Sequence, residues 1–131
     1  MATQSRQPFP DDLLGALCKS SGLRIRAGGG PHRFVGIWFV VVDGRVFVRS
    51  WSVQPDGWYR TFLRDPRGTV ILAKREIAVR AVRVRDNQVR DAVDRAYLKK
   101  YNQPGAIRYA RDLGSDLSRA TTLELRPAES G

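Results

Sequence analysis

The period of hydrophobic and polar positions changes several times along this chain, and each change marks an element. From Phe34 to Val42 the residues FVGIWFVVV are almost all apolar. Such a run predicts a strand covered on both faces, as in a closed barrel or the middle of a sandwich. Asp43-Gly44 follows, a dipeptide strongly favoured in two-residue hairpin turns. Arg45 to Ser52 then alternates, with Val46, Val48 and Ser50 on one side and Arg45, Phe47, Arg49 and Trp51 on the other. The second side combines cations with aromatic rings, which predicts a surface that meets an anionic or planar partner.

Upstream, Asp11 and Asp12 precede Leu13, Leu14, Ala16 and Leu17, the signature of a short helix, which Ser20, Ser21 and Gly22 end. Leu23 to Ala27 alternates and predicts a strand with Leu23, Ile25 and Ala27 on one face. The glycine-rich stretch Gly28 to Arg33 matches neither a dinucleotide fingerprint nor a Walker loop, and it reads as a strand connection.

Downstream, Gln54 to Gly57 is a turn, and Trp58 to Arg64 predicts a helical turn that sets Trp58 near Phe62 and Arg60 near Arg64. A second turn, Asp65 to Gly68, leads into an apolar strand, Thr69 to Ala73. Ile77 and Val79 share one parity while Val82 and Val84 share the other, so a bulge near Arg80 and Ala81 is expected. Asp86 or Asn87 caps a helix that presents Val89, Ala92, Val93, Ala96 and Tyr97 on one face, with Arg90, Asp91, Asp94, Arg95 and Lys99 toward solvent. Ala106 to Leu113 predicts a second short helix, and Thr121, Leu123 and Leu125 predict a final strand. The elements sum to an α+β barrel of about six mostly antiparallel strands with two to three covering helices. It forms a single domain over residues 11–127, between a loose arm (1–10) and a loose tail (128–131).

Composition narrows the setting. The 131 residues suit one domain, and the single cysteine, Cys18, cannot form an internal disulfide, which points to a reducing cytoplasm. The longest apolar run is too short to span a bilayer, and the N-terminus lacks the pattern of a signal peptide. Net charge is +10, from 19 Arg and 4 Lys against 13 acids. That excess either attracts phosphate or reflects a GC-rich genome. No paired carboxylates, catalytic triad or metal-ligand cluster stands out in the sequence, so no metal is expected. His32, Asp56 and Tyr59 are the candidates for acid or base work. Trp38 is expected in the core, whereas Trp51 and Trp58 each sit beside an arginine, and Arg49 and Arg60 flank one loop.

The blocks IWFVVVDGRVFVRS, GWYR, AYLKKY and ATTLELRP, in that order, resemble the bacterial family called domain of unknown function 2255, over roughly Leu23 to Pro127. The resemblance implies kinship with flavin-binding split β-barrels, which include pyridoxamine phosphate oxidase-like proteins and deazaflavin-dependent reductases. It therefore implies a homodimer, with a cofactor in a groove between subunits and basic residues on its phosphate. By that likeness Arg49, Ser50, Trp58 and Arg60 line the groove, Trp51 stands in the same loop, and Lys74 and Arg75 lie at the rim.

Three functional readings follow. The first is an oxidoreductase that binds FMN or a deazaflavin, whose chemistry needs no visible triad. The second keeps the barrel without a cofactor, acting on or holding a small planar or acidic metabolite through cyclisation or isomerisation. The third, nucleic-acid binding, draws on the charge and exposed aromatics but finds no recognition motif.

Overall fold

The fold is that of a computed structural model describing residues 9–28, 33–51, 57–72 and 74–128. The apolar run from Phe34 to Val42 explains how the sheet closes. It forms two strands, β2 (Val35–Ile37) and β3 (Phe39–Val42), separated only by Trp38. β2 pairs with β1 (Leu23–Ala27), while β3 pairs with β4 (Arg45–Val48). The remaining strands are β5 (Arg67–Leu72), β6 (Arg75–Arg83) and β7 (Leu123–Pro127). All pairings are antiparallel, and the order is β2-β1-β5-β6-β7-β4-β3. The two ends of the sheet are thus consecutive pieces of one run, and the sheet curls into a nearly closed split barrel. The strand count rises to seven because one expected strand is broken in two.

Asp43 and Gly44 both adopt positive φ (53° and 76°), as the tight β3–β4 hairpin requires. Inside the barrel, alternate residues converge: Ile25, Val46, Val48, Val70, Val79 and Leu125 are all nearly inaccessible. Two helices add to this core. α1 (Asp11–Lys19) contributes Leu13 and Leu17, and α2 (Trp58–Arg64) contributes Tyr59 and Phe62.

A second core lies on the outer face of the sheet. Val40, Phe47 and Val84 pack there against Val93, Tyr97 and Tyr101 of α3 (Asn87–Lys100) and its end, and against Ala110 and Leu113 around α4 (Ile107–Asp112). The Asp86 carboxylate caps α3, accepting from the N–H groups of Gln88 and Val89. A fifth helix, α5 (Asp116–Arg119), was not expected. It has four residues and is capped by Ser115, too short for periodicity to reveal.

Two expectations are corrected by this second core. The basic and aromatic side of β4 is a surface only at its two ends, Arg45 and Trp51, because α3 and α4 cover its middle and bury Phe47 and Arg49. The bulge near Arg80 and Ala81 does not form either. The register of β6 against β7 runs unbroken from Val79↔Pro127 to Arg83↔Leu123. Ile77, Val79 and Ala81 face the barrel interior, and Val84, past the strand end, joins the outer core. A sheet with apolar cover on both faces can use both parities, so the change of phase needs no extra residue.

Candidate functional site

Arg49 leaves the end of β4 and turns inward beneath the helices, only 2% exposed. Its Nε donates to Thr122 Oγ1 (2.8 Å), Nη1 to the Leu113 carbonyl (2.8 Å) and Nη2 to the Arg90 carbonyl (2.9 Å). Nη1 also pairs with Asp94, which Arg119 of α5 bonds from the other side. Burial pushes the guanidinium below its ordinary pKa, opposed by the hydrogen bond and charge of Asp94. The next residue, Ser50, exchanges backbone hydrogen bonds with the Thr121 hydroxyl. Arg49 and Ser50 therefore tie the β4 end to α3, α4 and β7, and each strong donor of Arg49 already meets an acceptor of its own chain. Arg90 and Asp94, expected toward solvent, belong to this same network.

The other residues named from sequence have different neighbours. Trp51 is 43% exposed; its indole N–H donates to the Tyr109 carbonyl (3.4 Å). Trp58 packs on the interior core and edge-on to Phe62 at 6.1 Å. Arg60 is exposed on α2. Lys74 stands exposed in the β5–β6 turn at φ 66°, and Arg75 beside it reaches Asp12 of α1 at 3.5 Å. Tyr59 is turned inward, its hydroxyl donating to the Ala120 carbonyl at 3.4 Å. His32 and Asp56 lie outside the described residues.

The structure does bring together an aromatic line that sequence spacing could not. Trp38, only partly buried, stacks face to face on Tyr101, with centroids 3.9 Å apart and planes 1° apart. Tyr97 continues the stack at 5.9 Å, while Trp51 meets Trp38 edge-on at 5.4 Å and Tyr109 at 6.4 Å. The Tyr101 hydroxyl fixes the stack by accepting from Phe39 N–H (3.2 Å) and donating toward the Ser21 carbonyl (2.8 Å).

Beside this stack the barrel opens into a cleft of about 490 Å³, lined by Ser21, Gly22, Arg24, Gly36, Trp38 and Ile71 among others. The glycines shape it. A Cβ on Gly36 would meet nothing within 4 Å, whereas one on Gly22 would press the Ile37 carbonyl at 3.0 Å. Arg24 and Arg26 project from the exposed parity of β1, both over the Phe34 ring, at 5.7 and 4.6 Å. The cleft was not anticipated. Its one sequence signal was Arg24 on the outward parity of a strand, and its partners come from three separate strands.

Lys100 closes the far side of the stack. Its ammonium donates to the Phe39 carbonyl (3.0 Å) and lies 3.4 Å over the Phe39 ring. Burial drives its pKa down from 10.5 to about 8, and burial likewise drives Tyr101 up from 10.0 to about 12. The signs are opposite in their effect on stability. Between pH 8 and 10.5 the unfolded chain holds a proton on Lys100 that the native state releases, so stability rises with pH across that window. From about pH 10 to 12 the unfolded chain ionises Tyr101 while the native state does not, so stability falls. Thermal melts from pH 7 upward should therefore peak near pH 10. A Lys100→Met variant should lose the rise and keep the fall; a rise that survives in it would assign the effect to another group.

Among the described residues no helix is long and apolar enough to cross a membrane, and no group of three His, Cys, Asp or Glu could hold a metal ion. No curated protein matches the chain in sequence. Solved structures do match its fold. The heme storage protein HutZ from Vibrio cholerae superposes with a TM-score of 0.67 at 14% identity, covering 95% of this chain and 93% of that one. A conserved hypothetical protein from Mycobacterium tuberculosis gives 0.61 at 12%, covering 100% and 87%. An FAD-binding protein from Mesorhizobium loti gives 0.57 at 14%, covering 95% and 93%. At such identities the likeness establishes the split-barrel fold. A family match covers residues 17–125, from the end of α1 into β7, and by it the chain belongs to the family described as uncharacterized protein conserved in bacteria, DUF2255.

Proposed function

We propose that the protein binds a planar, anionic cofactor of the flavin class, FMN or a deazaflavin, in the cleft between β1, β2 and β5, and serves an oxidoreductase reaction with it. The observation that carries this reading is the joint presence in one open cleft of an aromatic wall, Trp38, a cation, Arg24, and a glycine floor, Gly36, above which a side chain would have free space. The volume of about 490 Å³ lies within the range of small-molecule sites. Trp38 is held in place by its stack on Tyr101, so it offers a pre-set aromatic surface rather than a mobile one. Arg24 would supply charge-assisted hydrogen bonds to a phosphate. The solved structures that share the fold include proteins described as FAD-binding and as heme storage, both planar ring systems. When bound, a flavin would carry the hydride or electrons, leaving the chain to bind, orient and shield it. Two copies of the chain forming the complete groove is part of the same reading.

The test is titration with FMN and, separately, with a deazaflavin, followed by visible absorbance and tryptophan fluorescence. A shifted ligand band with quenched fluorescence is expected for one of them, and Arg24→Gln should weaken it about tenfold, near 1.4 kcal/mol. If neither ligand produces a change, the flavin reading fails. The cleft would then be assigned to a colourless acidic metabolite.

A further inference from the structure

Across the outside of the barrel, three arginines stand in one lateral row. The β5–β6 register sets Arg67 opposite Arg80, and the β6–β7 register sets Arg80 opposite Arg126. With strands about 4.8 Å apart, the row spans about 10 Å. Like charges directly opposite on neighbouring strands repel, so the arrangement costs stability unless anions offset it.

Among the described residues, ion pairs hold the two ends of the row. Asp65 holds Arg67 with bonds of 3.0 Å from both Nε and Nη2. Glu124 takes Arg126 at 3.1 Å, but it must also serve Arg45 at 3.0 Å. The central residue, Arg80, is exposed and has no ion pair or side-chain hydrogen bond among the described residues. A second, independent sign lies next to it. The Nε of Arg126 is shut off from water and has no hydrogen-bond partner, the one such side-chain atom among the described residues. A buried donor without an acceptor is rare in a native structure, and an anion that drew the Arg126 guanidinium outward would satisfy it.

From this row we infer that Arg67, Arg80 and Arg126 form an oxyanion site on the outer face of β5, β6 and β7, selective for a small ligand that carries phosphate groups. Guanidinium forks match phosphate oxygens in charge and in planar geometry, and three side by side suit linked phosphates better than a lone carboxylate. The site uses none of the residues that line the cleft beside Trp38. It stands or falls independently of what that cleft holds.

The probe is inorganic pyrophosphate, added to the whole chain in chloride buffer and read by isothermal titration and by melting temperature. The wild-type protein should bind it and melt higher. Arg80→Gln should bind at least about tenfold more weakly. In phosphate-free buffer the same variant should melt no lower than wild type, because it loses a repulsion rather than a contact. Arg95→Gln, which removes an equal charge from the outer face of α3, and Arg108→Gln, which does so from the exposed side of α4, should bind pyrophosphate as wild type does. No binding by wild type overturns the inference. So does an equal loss in all three variants, which would make the effect one of net charge. Tight binding of a single-stranded oligonucleotide that pyrophosphate does not displace also overturns it, because the row would then be part of a longer polyanion track.

Discussion

An Arg49→Met variant is expected to lose about 3–5 kcal/mol of stability, the usual cost of removing one partner from a buried ionic network. Methionine fills much of the same volume, so the loss would come from polarity rather than from a cavity. Three acceptors would lose their donors at once: the Thr122 hydroxyl, the Leu113 carbonyl and the Arg90 carbonyl. Asp94 would fare better, because Arg119 still holds it. Arg49→Lys should recover little, since one ammonium cannot span acceptors on β7, α3 and the end of α4. Urea unfolding checks this: the midpoint should fall while the slope stays constant. A loss below about 1 kcal/mol would mean the network is dispensable. If ligand binding vanished while stability held, Arg49 would belong to a ligand site, as the family resemblance implied.

Gly68→Ala should be the second large effect, at about 1–3 kcal/mol and at the upper end of what one added methyl costs. Gly68 lies on β5 opposite Ala27 and Val79, where α2 crosses the sheet. A Cβ there would come within 2.7 Å of two Phe62 ring carbons and 2.9 Å of the Arg26 carbonyl oxygen. The ring could swing away, but the carbonyl belongs to the paired strand β1 and cannot. Adding Phe62→Leu should therefore relieve only the part due to the ring, and a double-mutant cycle would separate the two shares. Full recovery in the double variant would show that the strand gives way after all.

Most of the elements were legible in the chain because their signals were local. Asp43-Gly44 demanded positive φ, the apolar stripe Val89 to Tyr97 demanded a helix, and Leu23 to Ala27 alternated cleanly. The site was less legible, for a physical reason. Arg49 beside Phe47 and Trp51 looks the same in sequence whether it meets a ligand's phosphate or the carbonyls of its own helices. Only the packing of α3 and α4 over β4 decides, and that packing joins residues 41 to 73 positions apart. Trp38 misled for a related reason. It sits in the middle of an apolar run, yet it is the residue at which the run changes partners, so it is left half covered between two strands. Gly22, Arg24, Gly36 and Ile71 carried no shared signal because the register of β1 with β2 and β5 is what assembles them.

The way one run supplies both ends of the sheet bears on aggregation. Open sheet edges recruit other chains, and proteins guard against this with short or covered edge strands. Here the two edges are β2, of three residues, and β3, of four, and they are joined through Trp38. Each is too short to template much pairing while the barrel is intact. Because they are covalently continuous, pulling the Trp38 region away would unseat β2 and β3 together and bare the inner strands β1 and β4 in the same event. Protection and vulnerability therefore reside in one place. Between them there should be little gradual fraying, and hydrogen exchange at Ile25 and Phe47 should report a single cooperative opening.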